Sequence, residues 1–156
     1  MMTDNRKIDN IFFENVLPLF RTNFSGQETE TNAKGRRNLV IEIPDEEFAR
    51  QLLDDGWNIK IGKENKDGSK VYPPHMKINV NYPEDYPNLW PKIMMEQAGN
   101  KEYLNEETIN LLDENEITNI KNLEVSGRYC IVNGKEYITA YVRKMRVEVA
   151  PDFFCD

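Results

Sequence analysis

Few residues in this chain can do covalent or metal chemistry. His75 is the only histidine, which excludes a histidine-dependent triad and a multi-histidine metal site. Following Pro73-Pro74 at the start of a strand, it reads as a surface residue. Cys130 and Cys155 are the only cysteines, and they offer neither a disulfide framework nor metal-ligand spacing. Carboxylates are abundant, and a few of them could build a divalent-metal nuclease site. Most stand in the first turns of expected helices, however, where the helix dipole already accounts for them. Neither G-x-x-x-x-G-K-[ST] nor G-x-G-x-x-G occurs, so the usual phosphate-cradling loops are absent.

What remains is a repeated neighbourhood of rings and bases. Arg21 lies between Phe20 and Phe24, Arg36 and Arg37 open a strand, and Lys60 follows Trp57. Lys77 precedes Tyr82, Arg128 adjoins Tyr129, and Arg143 follows Tyr141. Single-stranded nucleic acid is bound by this combination: bases stack on aromatic faces, at ~1–3 kcal/mol each, while cations neutralise the phosphates beside them. The plainer reading is that aromatics at strand spacing are core. Trp57, Tyr82 and Tyr141 sit on otherwise apolar faces and fit it best, whereas Phe24 and Tyr129 have more polar surroundings.

The elements that must position these residues can be read from periodicity. The stretch Gly35 to Ile61 is strand, helix, strand. Leu39, Ile41 and Ile43 form an apolar face, Asp45 an N-cap, and Phe48, Leu52 and Leu53 a helical stripe. Gly56 stops the helix, and Trp57, Ile59 and Ile61 share one face of the next strand. Before this unit, residues 11 to 24 read as a strand that Pro18 confines to an edge or a bulge, and 25 to 34 as an exposed loop. After it come a charged turn at 62 to 69 and an alternating strand from His75 to Tyr82. A structured loop, PEDYPNLWP, spans 83 to 91, and a short strand 92 to 96. A helix is expected from Asn105. Residues 120 to 132 and 137 to 149 form a hairpin through Asn133-Gly134, with Tyr137, Tyr141, Arg143, Met145 and Val147 expected on one face of its second arm. About seven strands, two short helices and no repeated βαβ pattern favour a mainly β fold: an antiparallel barrel with a long C-terminal hairpin.

At 156 residues the chain is most simply one domain over 1–149, with 1–9 frayed and 150–156 a short acidic and aromatic tail. A chain of this length buries roughly 70% of its unfolded surface. Two scattered cysteines imply a reducing, cytosolic setting, and nothing in MMTDNRKIDN resembles a hydrophobic signal region. The net charge of -7 argues against a simple electrostatic nucleic-acid binder. Its distribution points the other way. Residues 41 to 56 hold one base and six acids, and 83 to 116 two bases and nine acids. By contrast 57 to 82 hold five bases and two acids, and 117 to 149 six bases and three acids. A basic surface on an acidic protein is therefore compatible with the sequence.

With these residues laid out, the chain resembles the single-stranded DNA-binding proteins of tailed bacteriophages, which have an OB-fold. The resemblance is carried by Phe20-Arg21 through Asn23-Phe24-Ser25-Gly26, by Gly35 to Asn38 and the apolar strand after it, and by Leu53 to Lys60. It continues in Pro91-Lys92-Ile93, Leu104 to Leu112 before Asp113, and Val132-Asn133-Gly134-Lys135 leading to Ala140-Tyr141-Val142. It implies a non-enzymatic protein, without cofactor or metal, that coats exposed single strands during phage replication or recombination in the cytoplasm of the infected host. Arg21, Arg36, Arg37, Lys60 and Lys77 are expected on phosphates, and Phe24, Trp57 and Tyr129 against bases. Partners would be single-stranded DNA, phage replication or recombination proteins, and a second copy in a homodimer, with no membrane. The long arm before Phe20, the proline-rich loop and the short acidic tail depart from the family pattern. A protein-interaction accessory of recombination or assembly is the other reading that the acidic segments support.

Overall fold

The computed structural model describes residues 7–61, 66–67 and 72–151. The expected turn at 62–69, the frayed start and the tail lie largely outside them. The elements in chain order are β1 (Ile11–Val16), β2 (Pro18–Asn23), β3 (Arg37–Glu42), α1 (Glu46–Asp54), β4 (Ile59–Lys60) and β5 (His75–Val80). They continue with β6 (Lys92–Gln97), β7 (Asn100–Leu104), α2 (Leu111–Glu114), β8 (Ile117–Val132) and β9 (Lys135–Val149). The fold is mainly β with two short helices and a long C-terminal hairpin, as the sequence led us to expect.

One sheet runs in the order β1-β8-β9-β5-β3-β2, with β4 added to β5, β6 to β9 and β7 to β6. Its two ends, β1 and β2, are consecutive in sequence and separated only by Leu17. The expected single strand over 11 to 24 is thus two, because Pro18 has no N–H to continue a ladder. Instead the Leu17 carbonyl accepts from the Glu42 amide at 3.1 Å, and Asn15 and Phe20 flank the bend at φ 54 and 64. The sheet is open in its hydrogen bonding and curls back on itself through this bent segment. Most ladders are antiparallel, but β9 runs parallel to β5 and to β6, so the sheet is mixed rather than wholly antiparallel. Both partners reach β9 through long connections rather than tight turns, which leaves parallel pairing open to them.

The core lies inside the curled sheet. Leu39, Ile41 and Ile43 are buried on one side of β3, following the two-residue period. The Asp45 carboxylate accepts from the amides of Glu47 and Phe48 and starts α1. That helix buries Ala49 and Leu52, with Phe48 packed 5.8 Å from Phe13. Leu53, expected on the same stripe, is exposed: at 100° per residue it follows Leu52 out of the groove. Gly56, at φ 105, ends the helix and delivers Trp57 to a bridge with Ile138.

Three segments differ from their periodicity. The hairpin turn is where Asn133-Gly134 predicts it, at φ 51 and 79, but β9 does not keep one alternation. Val125 pairs with Val142 and Glu124 with Lys144, so Arg143 is an extra residue that reverses the faces. Met145 and Val147 therefore join the core, while Tyr141, Lys144 and Arg146 share the outer side. Residues 100–104 form β7, paired to β6 through a turn at Ala98-Gly99, which a run of polar side chains concealed. Asn105 caps a turn, accepting from the amides of Glu107 and Thr108, and the second helix is confined to α2.

Glu96 is the one charged residue buried among the described residues. Its carboxylate takes hydrogen bonds from Lys121 of β8 at 2.7 Å and from Arg146 of β9, linking three strands. The Lys121 hydrogen bond, with Arg146 beside it, holds the Glu96 carboxyl below the usual range, and the same bond holds the Lys121 ammonium above its own.

Two stability predictions follow from these contacts. A Cβ at Gly127 would stand 2.5 Å from Ile138 Cγ2 and 2.7 Å from Trp57 Cη2. Gly127→Ala should therefore cost about 1–3 kcal/mol by overpacking, read as a lower urea midpoint with an unchanged m-value; an unchanged midpoint would show that Trp57 has room to shift. Glu96 titrates lower folded than unfolded, so its contribution is present above the ordinary carboxylate value near 4.5 and lost as pH falls through the folded value. Glu96→Gln should lower the neutral-pH melting temperature, with the gap to the parent closing in strong acid. A gap constant with pH would mean that the charge contributes nothing.

Candidate nucleic-acid interface

The side of the sheet turned away from the core is continuous over five strands. On β3 and β5 the buried residues alternate with Asn38, Val40 and Glu42, paired respectively with Asn79, Lys77 and His75. Across the parallel ladder Asn79 meets Tyr141 of β9. On β8, Ser126 pairs with Tyr141 and Arg128 with Thr139. On the far side β2 contributes Arg21. At ~4.8 Å between strands this face is about 19 Å across.

Three neighbourhoods stand out on it, one of cations and polar groups and two that add open rings. Arg21, Asn38 and Lys77 line a depression with Asn32 and Thr31 of the preceding loop. Neither Arg21 nor Lys77 makes an ion pair among the described residues. A second depression is lined by Tyr86, Leu89, Arg128, Tyr141 and Arg143. There the Arg128 guanidinium lies 6.0 Å from the Tyr141 ring centroid, and Arg143 Nη1 donates to the Leu89 carbonyl at 3.0 Å. The 83–91 loop that supplies Tyr86 is closed by the Trp90 indole N–H, which donates to the Pro83 carbonyl at 2.6 Å. At the edge Phe20 packs its exposed ring against Tyr72 and His75, at 4.9 and 5.5 Å between centroids. Lys60 pairs with His75 beside them.

The second helix positions one end of this face. Asp113 accepts from Thr22 Oγ1 at 2.7 Å, from the amides of Phe24 and Ser25, and from Ser25 Oγ. Four hydrogen bonds to one carboxylate fix the chain after Arg21. Only the long-range geometry reveals this, since in the sequence Asp113 is one of many helix-associated acids.

The structure divides the residues singled out from the sequence. Arg21, Lys60 and Lys77 lie on the face just described, and Arg36 is exposed where β3 begins. Arg37 does not join them. It falls on the Leu39 side of β3, 3.5 Å from Glu106 and 5.6 Å from the Tyr82 ring centroid, closing the end of the core. Burial pushes the Tyr82 hydroxyl up to about 12, against the opposing effect of Arg37.

Phe24 and Trp57, expected against bases, are core residues at 0% and 3% exposure. Phe24 is drawn in by the Asp113 clamp on its own amide, and Trp57 by the gap that Gly127 leaves. Tyr129 packs partly against the core, on the opposite side of β8 from Arg128. The rings in the neighbourhoods of this face are Phe20, Tyr72, Tyr86 and Tyr141, while Phe12, Trp90 and Tyr103 are exposed elsewhere. Tyr141 was hidden by the extra residue in β9 and Phe20 by the left-handed backbone beside Pro18, while Tyr86 sat in a loop whose shape no periodicity describes.

Known proteins agree with this architecture. The family described as "Putative phage ssDNA-binding domain" matches residues 2–154. No curated protein matches the chain significantly. Among solved structures, a C-terminal truncation of the single-stranded DNA-binding protein from bacteriophage Enc34 superposes with a TM-score of 0.57 at 10% identity, covering 92% of this chain and 87% of that one. The same Enc34 protein in complex with single-stranded DNA gives a TM-score of 0.52 at 10% identity, covering 94% and 89%. At that identity the likeness is one of fold. The family's span over nearly the whole sequence makes the assignment: the chain belongs to the phage single-stranded-DNA-binding domain family.

Proposed function

We propose that this chain binds single-stranded DNA, largely without regard to sequence, along the outer face of β2, β3, β5, β9 and β8, and coats exposed strands during phage replication or recombination in the infected host. The observation that carries this reading is the juxtaposition, on one continuous face, of uncompensated cations with open aromatic rings, in a chain of this family. Arg21, Lys60, Lys77 and Arg128 neutralise phosphates, while Tyr86, Tyr141 and the Phe20-Tyr72 pair offer flat surfaces for bases. Asn38 and Asn79 lie between the two ends of the face, their amides donating to Asn32 Oδ1 and the Ala140 carbonyl. The work is binding and requires no chemical step. The many acids elsewhere lower non-specific adhesion to duplex and keep the strand to one side.

Intrinsic fluorescence is a suitable probe because the two tryptophans are unequal: Trp57 is 3% exposed and Trp90 40%. Titration with poly-dT should quench emission through Trp90, and Trp90→Phe should remove the quench. Lys77→Ala should weaken binding and flatten the log-log salt slope by about 0.7, and Tyr86→Ala should cost ~1–3 kcal/mol of affinity. Arg37→Ala should leave the salt slope unchanged while lowering stability. Absence of binding at low salt, confirmed by gel shift, would overturn the reading in favour of a protein-interaction module.

A further inference from the structure

We propose that the single strand does not end at Tyr141 and Arg143 but continues along β9 into a second groove, on the outer side of β1, β8, β9, β6 and β7. This rests on the single-strand reading above and extends its site. The groove is lined by Phe12, Lys92, Met94, Lys101, Tyr103 and Lys144, among others. Phe12 and Tyr103, at 66% and 70% exposure, are among the most open large side chains described. They stand on its two outermost strands, four strand spacings or about 19 Å apart.

Register shows how the two surfaces join. The extra residue Arg143 reverses the alternation of β9, so Tyr141 on one side of it and Lys144 on the other both face out. Without it Lys144 would point inward and the cationic line along β9 would stop. Lys144 is paired directly with Lys92 of β6, and neither makes an ion pair among the described residues. Glu124 stands opposite Lys144 on β8 but makes no ion pair with it, so two adjacent like charges between rings suit a polyanion bearing bases.

The remaining charges set the direction. Arg146 is bound to Glu96, and Lys101 lies 4.0 Å from the same carboxylate, so both are partly offset by it. Glu14 and Glu124 occupy the β1–β8 side, where Glu124 accepts from Asn10 at 2.7 Å. Phosphates therefore follow β9 and β6, past Lys144 and Lys92, and the bases reach toward Met94 and Tyr103.

The test compares two labelled oligothymidylates by anisotropy, one near the lower end of the ~4–16 nucleotides that one such domain covers and one beyond its upper end. The double variant Lys92→Glu with Lys144→Glu should bind the short strand as the parent does, within about twofold. It should bind the long one at least tenfold more weakly, with a salt slope shallower by about 1.4 for two lost phosphate contacts. Tyr103→Ala, at a position 70% exposed, should lower affinity for the long strand alone, by roughly 5- to 150-fold. Unchanged long-strand affinity in these variants, or an equal loss for both lengths, would overturn the extension while leaving the first face standing. A parent protein that binds neither length would overturn the single-strand reading itself, and the extension with it.

Discussion

A strand has two edges, and in this protein the allocation of the edges of β9 determines nearly everything else. One edge is taken along its length by β8. The other is shared in series: β5 pairs at Ala140 and Tyr141, and β6 takes over from Lys144 to Val149. The two guests arrive from different parts of the chain and need not match in register, so β9 must change phase between them. Arg143 sits at that handover, where one additional residue bends the strand and resets its faces. The junction of two ladders is thus also the place where an arginine is turned out beside Tyr141, and a requirement of sheet geometry supplies a functional group.

The same economy governs charge. The chain is acidic overall, yet its carboxylates are not evenly spread over the surface. Several are consumed internally: Asp45 starts α1, Asp113 clamps the chain after β2, and Glu96 holds three strands together. Cations on the sheet have fewer structural duties. Lys77 and Lys144 make no ion pair among the described residues, whereas Arg37, Lys121 and Arg146 are engaged in holding the fold. Net charge records the sum and hides this division, which is why it misleads about polyanion binding.

Much of the fold was legible because its local signals agree with its tertiary packing. The alternation in β3, the Asp45 cap, Gly56 and the Asn133-Gly134 turn each have a short-range cause, and the structure has each of them. The site was less legible, for a physical reason. Whether a ring is core or exposed depends on which side of a strand it occupies, and a single inserted residue exchanges the sides. Arg143 did so in β9, and Pro18 with its left-handed neighbours did so between β1 and β2. Phe24 and Trp57 were misplaced because their burial depends on residues far away in sequence, Asp113 and Gly127. The outward direction of Lys60 and Lys77 was easier to read, since a lysine flanked by apolar neighbours that pack inward has little choice of direction.

The bent segment at Leu17 has a consequence for how the chain reaches this state. Its second half can pair with β3 as soon as some forty residues exist, a local event, while its first half has no partner until β8 is made: Asn10 and Glu124, bonded across that seam, lie 114 residues apart. Such distant pairing carries a large loop-closure entropy and is slow relative to hairpin formation. During synthesis β1 therefore has no strand partner until residues 120–125 are made. The one acid and two amides along it, Glu14, Asn10 and Asn15, are the kind of residues that keep an unpaired edge from pairing with another chain.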